Sequence, residues 1–173
     1  TFSPHARRRN LVLQVPDVPV ADVPDETRLD LTHLPAFAID DEGNRDPDDA
    51  VSLEDGRLWV HVADVAALVP PDSPADLEAR ARGTTLYLPD GNVPMLPPAV
   101  VDVLGLGLRE PSPALSFGID IGADGQVADV QIVPSWIRVE RLTYGQAETR
   151  LAEAPFAGLQ ALAELTRQRR RAN

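Results

Sequence analysis

At 173 residues with no cysteine, the chain has no disulfide framework and no thiolate metal centre, so any metal must be held by oxygen or imidazole. A composition 43% hydrophobic and 25% charged is that of a globular chain, and no apolar run is long enough to span a bilayer. The formal net charge of −11 argues against a generic polyanion binder, because that affinity normally comes from a basic surface. The expectation is a soluble, cytoplasmic protein with no membrane partner.

The 17 prolines predict stiff loops and few long helices. Residues 1–35 read as an N-terminal linker or arm: "ARRRN" is basic, "LVLQV" suits one short strand, and "PDVPVADVPDETRLDLTHLP" has a proline rhythm hostile to helix and inner strand alike. From Phe37 the pattern sharpens. "AFAID" reads as a strand, "AVSLE" alternates, Asp55-Gly56 is a two-residue hairpin signal, and "RLWVHVADV" alternates again. On that return strand Leu58, Val60 and Val62 share one face and Trp59, His61 and Ala63 the other, which predicts a central position.

"SPADLEARARG" has the signature of a helix: Ser73 as N-cap, Pro74 at the first position, Asp76 three residues after the cap and Gly83 as the stop. "TTLYLPDGNVPMLPPAVVDVLGLG" carries four prolines and little periodicity, and is expected to be an ordered loop. A second hairpin follows, with Leu115, Phe117, Ile119 and Ile121 alternating, "ADGQ" turning, and Pro134 predicting an edge or bulge on the way back. Thr143 and Gln146 form a capping box for a helix to about Ala152, and Leu159, Leu162 and Leu165 mark another after Pro155.

The densest chemistry lies in "FAIDDEGNRDPDDAVSL", where Asp40, Asp41, Glu42, Asp46, Asp48 and Asp49 fall within ten residues. Counted from Asp40 as an EF-hand loop, the sixth position is Arg45 and the twelfth Val51, so that reading fails. A solvated acidic turn is the plainest alternative. Against it, Asp40 ends one strand while Asp48 and Asp49 begin the next, and adjacent strand ends bring such carboxylates together. A hard-cation site for phosphoryl chemistry accounts for that placement, since magnesium takes a few carboxylate oxygens, keeps water and offsets their repulsion.

These residues are familiar in order as well as in kind. Ile39, Asp40, Arg45, Asp46, Asp48, Asp49 and Ala50 match the signature ID…RDxDDA, and "VHVADV", "GTTLYLPD", "VPMLP" and "RLTYGQAE" follow in sequence. Residues 36 to 150 thereby resemble the catalytic RNB domain of the ribonuclease II family of 3′ to 5′ exoribonucleases. The resemblance implies magnesium-dependent hydrolysis of single-stranded RNA to nucleoside 5′-monophosphates. It places Asp40, Asp46, Asp48 and Asp49 on the family's four acidic positions, favours Asp40 and Asp49 as direct ligands, and ties Asp48 most closely to the chemical step. It also sets Tyr87 near the RNA 3′ end and Tyr144 at a second aromatic position beside the RNA.

Read without the family, Tyr87 in its proline-stiffened loop could stack on a base or simply fill a core. His61 and Asp64 tempt as base and orienter, but a strand histidine beside Trp59 reads as structural. Where the family commonly has a cysteine-containing "LCSL", this chain has "VLGLGL". The expected fold is α/β, a mixed and mostly antiparallel sheet with short flanking helices. Residues 36–173 would be the N-terminal portion of an RNB domain that continues beyond Asn173. The expected partners are single-stranded RNA, the remaining half of that domain and accessory RNA-binding domains, with Arg167 to Arg171 as the possible start of a basic groove. The rival readings are a noncatalytic RNB-like module that binds RNA or protein, and a metal-dependent phosphoesterase of small substrates.

Overall fold

The computed structural model describes residues 23–24, 26–44, 46–88 and 91–172. "ARRRN", the expected strand in "LVLQV" and Arg45 lie outside them. In chain order the elements are β1 (Leu29–Asp40), β2 (Asp49–Glu54), β3 (Arg57–Ala63), α1 (Pro74–Arg82), β4 (Leu86–Leu88) and β5 (Gly91–Val93). There follow α2 (Pro98–Leu104), β6 (Ser112–Ile121), β7 (Val127–Thr143), α3 (Tyr144–Thr149) and α4 (Phe156–Ala172). The described residues divide into two compact units, one drawn from 26–64 and 104–172 and the other from 23–24 and 65–103.

The larger unit is a closed barrel in the order β1-β2-β3-β6-β7. All its pairings are antiparallel except β1 with β7, which closes it in parallel. Asp55 and Gly56 take the left-handed backbone of a tight hairpin turn, with φ of 47° and 88°, and set Glu54 opposite Arg57. β3 is central, paired to β2 on one side and β6 on the other. Pro134 lies opposite Leu115 of β6, and pairing of β7 with β1 begins only at the next residue, Ser135. Its missing N–H thus falls where β7 is still an edge, as expected.

β1 begins at Leu29, so residues 29–35 belong to the barrel and not to an arm. The register against β7 shifts between Asp30 and Pro35, and a proline at such an irregularity forfeits no regular ladder bond.

The buried residues of the five strands explain how so small a barrel closes. Ala36, Ala38, Ala50, Ser52, Ala114, Ser116 and Ser135 are small and buried, leaving room for Trp59 and His61, whose rings stack nearly parallel at 6.4 Å. The indole passes over Gly118, its partner in the register, where an added Cβ would lie 2.8 Å from two ring carbons. Gly118→Ala is therefore expected to cost about 1–3 kcal/mol as overpacking. Urea unfolding measures it, and an unchanged midpoint would contradict this packing.

A second cluster lies at β1, where Phe37 meets Phe156 of α4 with ring centroids 4.5 Å apart, beside Leu142 and Ala147. The Arg150 guanidinium covers both rings, 5.4 and 4.8 Å from their centroids, and is bridged to Glu140 at 2.7 Å. The capping box of Thr143 and Gln146 opens α3 as the sequence predicts. α4 is the one long helix among the described residues. Its basic end is engaged locally, Arg167 with Glu164 at 2.7 Å and Arg169 with Asp124 at 3.5 Å.

In the smaller unit α1 has the predicted bounds. Ser73 Oγ accepts from the Asp76 N–H, Pro74 opens the helix, and Gly83 closes it with φ of 74°. The stretch expected to be a loop instead holds the antiparallel pair β4–β5 and the helix α2. Strands of three residues are too short to show a period, and Pro98 belongs to the helix as its first residue instead of excluding one.

Candidate active site

β1 and β2 are antiparallel neighbours, with Phe37 opposite Val51, so the loop between them connects adjacent strand ends. Asp40 is the last residue of β1 and half-buried; Asp49 is the first of β2 and exposed. Asp46 and Asp48 lie in the connection, the former half-buried and the latter exposed by area. The acidic residues are thus drawn to one end of the barrel by hairpin connectivity alone.

The loop between them is held by its backbone. The Asn44 N–H donates to Asp41 O at 3.2 Å, and Asn44 Oδ1 accepts from the Asp46 N–H at 3.1 Å. Arg141 of β7 donates to Asn44 O. The Leu106 N–H donates to the carbonyl of the buried Pro47 at 2.9 Å, and the Ala63 N–H to Asp48 O at 2.8 Å. Sequence reasoning missed all of these anchors. An Asx-type bond from Asn44 was readable in "GNRD", but Arg141 stands 97 residues away and Leu106 acts through its main chain, so neither leaves a local signal.

The chain's "VLGLGL" is part of this support. Leu104 and Leu106 are buried, and Gly107 takes φ of +78° with the Arg141 stem pressed against it, where an added Cβ would lie 3.0 Å from Arg141 Cγ. The Gly107 N–H donates to Ser112 Oγ at 2.9 Å, which in turn donates to Arg109 O.

Partial desolvation, followed by the charge of Asp49 and those of Asp40 and Asp46, holds the Asp48 carboxyl above the ordinary aspartate range. A backbone hydrogen bond opposes the shift without cancelling it. The other three predicted aspartates therefore all act on Asp48. Among the described residues, no three acidic or histidine side chains already converge as a finished metal cage. The donor set still suits magnesium, which binds through few carboxylates and retains water, in preference to an ion that needs an all-protein shell.

Tyr144 is the first residue of α3 and 61% exposed, and it directly follows Thr143, the register partner of Asp40. It thus starts at the same end of the barrel as the acids. Tyr87 belongs to the smaller unit, at the middle of β4 opposite Asn92; at 72% exposure it is not a core aromatic.

His61 is structural. It is fully buried, with Nε2 2.9 Å from Ser52 Oγ and Nδ1 2.7 Å from Ser116 Oγ, which continues to Ser135. Burial pushes its pKa down to about 4, so a neutral ring at pH 7 donates at one nitrogen and accepts at the other. Asp64 does not orient it; that carboxylate pairs with Arg28 at 2.8 Å.

With this geometry established, comparison with known proteins is specific. An uncharacterised ribonuclease of Synechocystis sp. is 44% identical over 135 residues, which is 74% of this chain and 20% of that protein. Exoribonuclease 2 of Vibrio vulnificus is 38% identical over 121 residues, 66% of this chain and 18% of its own length. Mycoplasma genitalium RNase R, solved in complex with ribose methylated single-stranded RNA, superposes with a TM-score of 0.72 at 27% identity, covering 83% of this chain and 25% of that one. The chain spans about a fifth of the length of these curated relatives. The RNB domain profile matches residues 28–173, starting within a residue of β1 and running through the acidic loop, the barrel and α4, and the chain accordingly belongs to the RNB domain family.

Proposed function

We propose that the chain is the acidic, metal-binding portion of a 3′ to 5′ exoribonuclease that hydrolyses single-stranded RNA to nucleoside 5′-monophosphates with magnesium. The observation that carries this reading is the placement of Asp40, Asp46, Asp48 and Asp49 at the one connection between the paired strands β1 and β2, where the other three act on Asp48. Carboxylates that raise Asp48 in this way carry a repulsive cost that a cation would offset. The names of the relatives, ribonuclease and exoribonuclease, support the same chemistry.

In this reading Asp40, Asp46, Asp48 and Asp49 hold magnesium, which supplies Lewis-acid polarisation of the scissile phosphate and charge neutralisation. The chain's own contribution is placement. β1 and β2 fix Asp40 and Asp49 at strand ends, while the Ala63 and Leu106 amides fix the backbone between them. The exposed rings of Tyr144 and Tyr87 offer faces on which bases stack without regard to sequence, a contact worth roughly 1–3 kcal/mol per base. The cytoplasm, the remainder of an RNB domain and accessory RNA-binding domains belong to the same proposal.

The test is a 5′-labelled oligoribonucleotide incubated with magnesium and either this chain or a version extended at its C terminus, with products resolved at single-nucleotide steps. A ladder that shrinks from the 3′ end with the extended form, and is abolished by a chelator, is the expected result. RNA binding without cleavage by either form would point instead to the noncatalytic module.

A further inference from the structure

We propose that the buried Arg28–Asp64 pair is a positioning device for Asp48, and so sets how tightly the acidic loop holds a divalent cation. The inference rests on the metal-site reading above and adds two residues to it.

Asp64 immediately follows β3, and Arg28 immediately precedes β1. The Arg28 side chain is 0% exposed and that of Asp64 only 13%. The guanidinium donates to Asp64 Oδ2 at 2.8 Å, to Glu26, and through Nη1 to the carbonyl of Ala114 at 3.4 Å; it also sits 5.4 Å from the Trp136 ring centroid. One planar fork thereby ties together the start of β1, the end of β3, β6 and β7.

The residue enclosed by these bonds is Ala63. Asp64 follows it in the chain, Ala114 is its register partner on β6, and both are held by Arg28. The Ala63 N–H in turn donates to Asp48 O at 2.8 Å, and Asp49 pairs with Val62 one residue earlier. The main chain of both aspartates therefore hangs on the strand end that Arg28 fixes.

Fold stability alone does not account for such a pair. Desolvating a guanidinium and a carboxylate is costly, and well-packed apolar side chains would often serve a barrel at least as well. What a forked, charged donor supplies is direction, at a strand end where a small rotation would move the backbone of two of the proposed ligands, Asp48 and Asp49. The pair acts on Asp48 through the Ala63 main chain, and residues that influence a site without touching its ligand typically do so by about 0.5–2 kcal/mol, a few-fold to some thirty-fold in affinity.

The experiment is Mn²⁺ binding to the 173-residue chain, followed by electron paramagnetic resonance well below the melting temperature. Asp64→Asn is expected to raise the Mn²⁺ Kd about three-fold or more. Arg28→Lys, which keeps the charge but loses the fork, should raise it as well, and it carries the test should Asp64→Asn fail to fold. Gly118→Ala loses stability without touching Ala63 and should leave the Kd unchanged. Folded Asp64→Asn or Arg28→Lys binding Mn²⁺ like the parent would overturn the proposal, as would an equal loss in Gly118→Ala. Absence of Mn²⁺ binding by the parent would overturn the metal-site reading itself, and this inference with it.

Discussion

Asp48→Asn, made in the C-terminally extended form, is expected to lower turnover of single-stranded RNA by roughly 10²-fold or more while changing the Kd for RNA little. Asp48 is the acid on which the other three act, and its backbone is held by the Ala63 amide. An amide of the same shape keeps the loop intact but carries no negative charge for a cation and accepts no proton. The split between turnover and binding matters, since this account assigns RNA stacking to Tyr87 and Tyr144 and not to Asp48. Single-turnover cleavage and fluorescence anisotropy measure the two sides. Turnover within a few-fold of the parent would remove Asp48 from the chemistry.

The second large effect concerns stability. His61 has a folded pKa of about 4 against an ordinary 6.5, because burial disfavours its charged form. The unfolded chain therefore takes up a proton first as the pH falls. Stability is fully present above about pH 6.5 and is lost progressively down to about pH 4, by roughly 3 kcal/mol. Asp48 works in the opposite direction, since protonating it relieves repulsion and returns part of that loss. Asp30, Asp120 and Asp124 are held low, chiefly by hydrogen bonds from Thr32, Arg57 and Gln126 respectively, and their contributions disappear only at still lower pH. Urea unfolding across this range should show the fall in the parent and a much flatter profile in His61→Gln. A parent profile as flat as the variant's would contradict the neutral, serine-bonded histidine.

Where one residue type dictates local geometry, the sequence was a sufficient guide. Ser73-Pro74…Gly83 bounds a helix, Asp55-Gly56 turns a hairpin, and Thr143 with Gln146 caps α3, because each acts on backbone within a few residues of itself. Pro134 marked the edge of β7 for the same reason. Barrel closure was not legible. It depends on the parallel pairing of β1 with β7, residues about a hundred positions apart, and on small side chains whose common interior no period along one strand reveals. The proline rhythm that suggested an arm before Phe37 concealed the first half of β1, since a proline at a register shift costs a strand little.

The site divides along the same line. The acidic run was readable because it falls in one loop, which connects the paired strands β1 and β2. The groups that hold that loop are distant or act through main-chain atoms: Arg141, the Leu106 amide, and the Arg28–Asp64 pair behind Ala63. The "HVADV" motif invited a reading of His61 and Asp64 as partners, but alternation along β3 turns His61 into the barrel, and Asp64, beyond the strand's last residue, meets Arg28 instead.

The most direct measurement of the central claim is anomalous diffraction from crystals of the chain soaked in Mn²⁺. The account predicts a peak within about 2.0–2.6 Å of carboxylate oxygens from Asp40 and Asp49, with Asp46 or Asp48 close by. A crystal with these four side chains accessible to solvent and no anomalous density among them would contradict it.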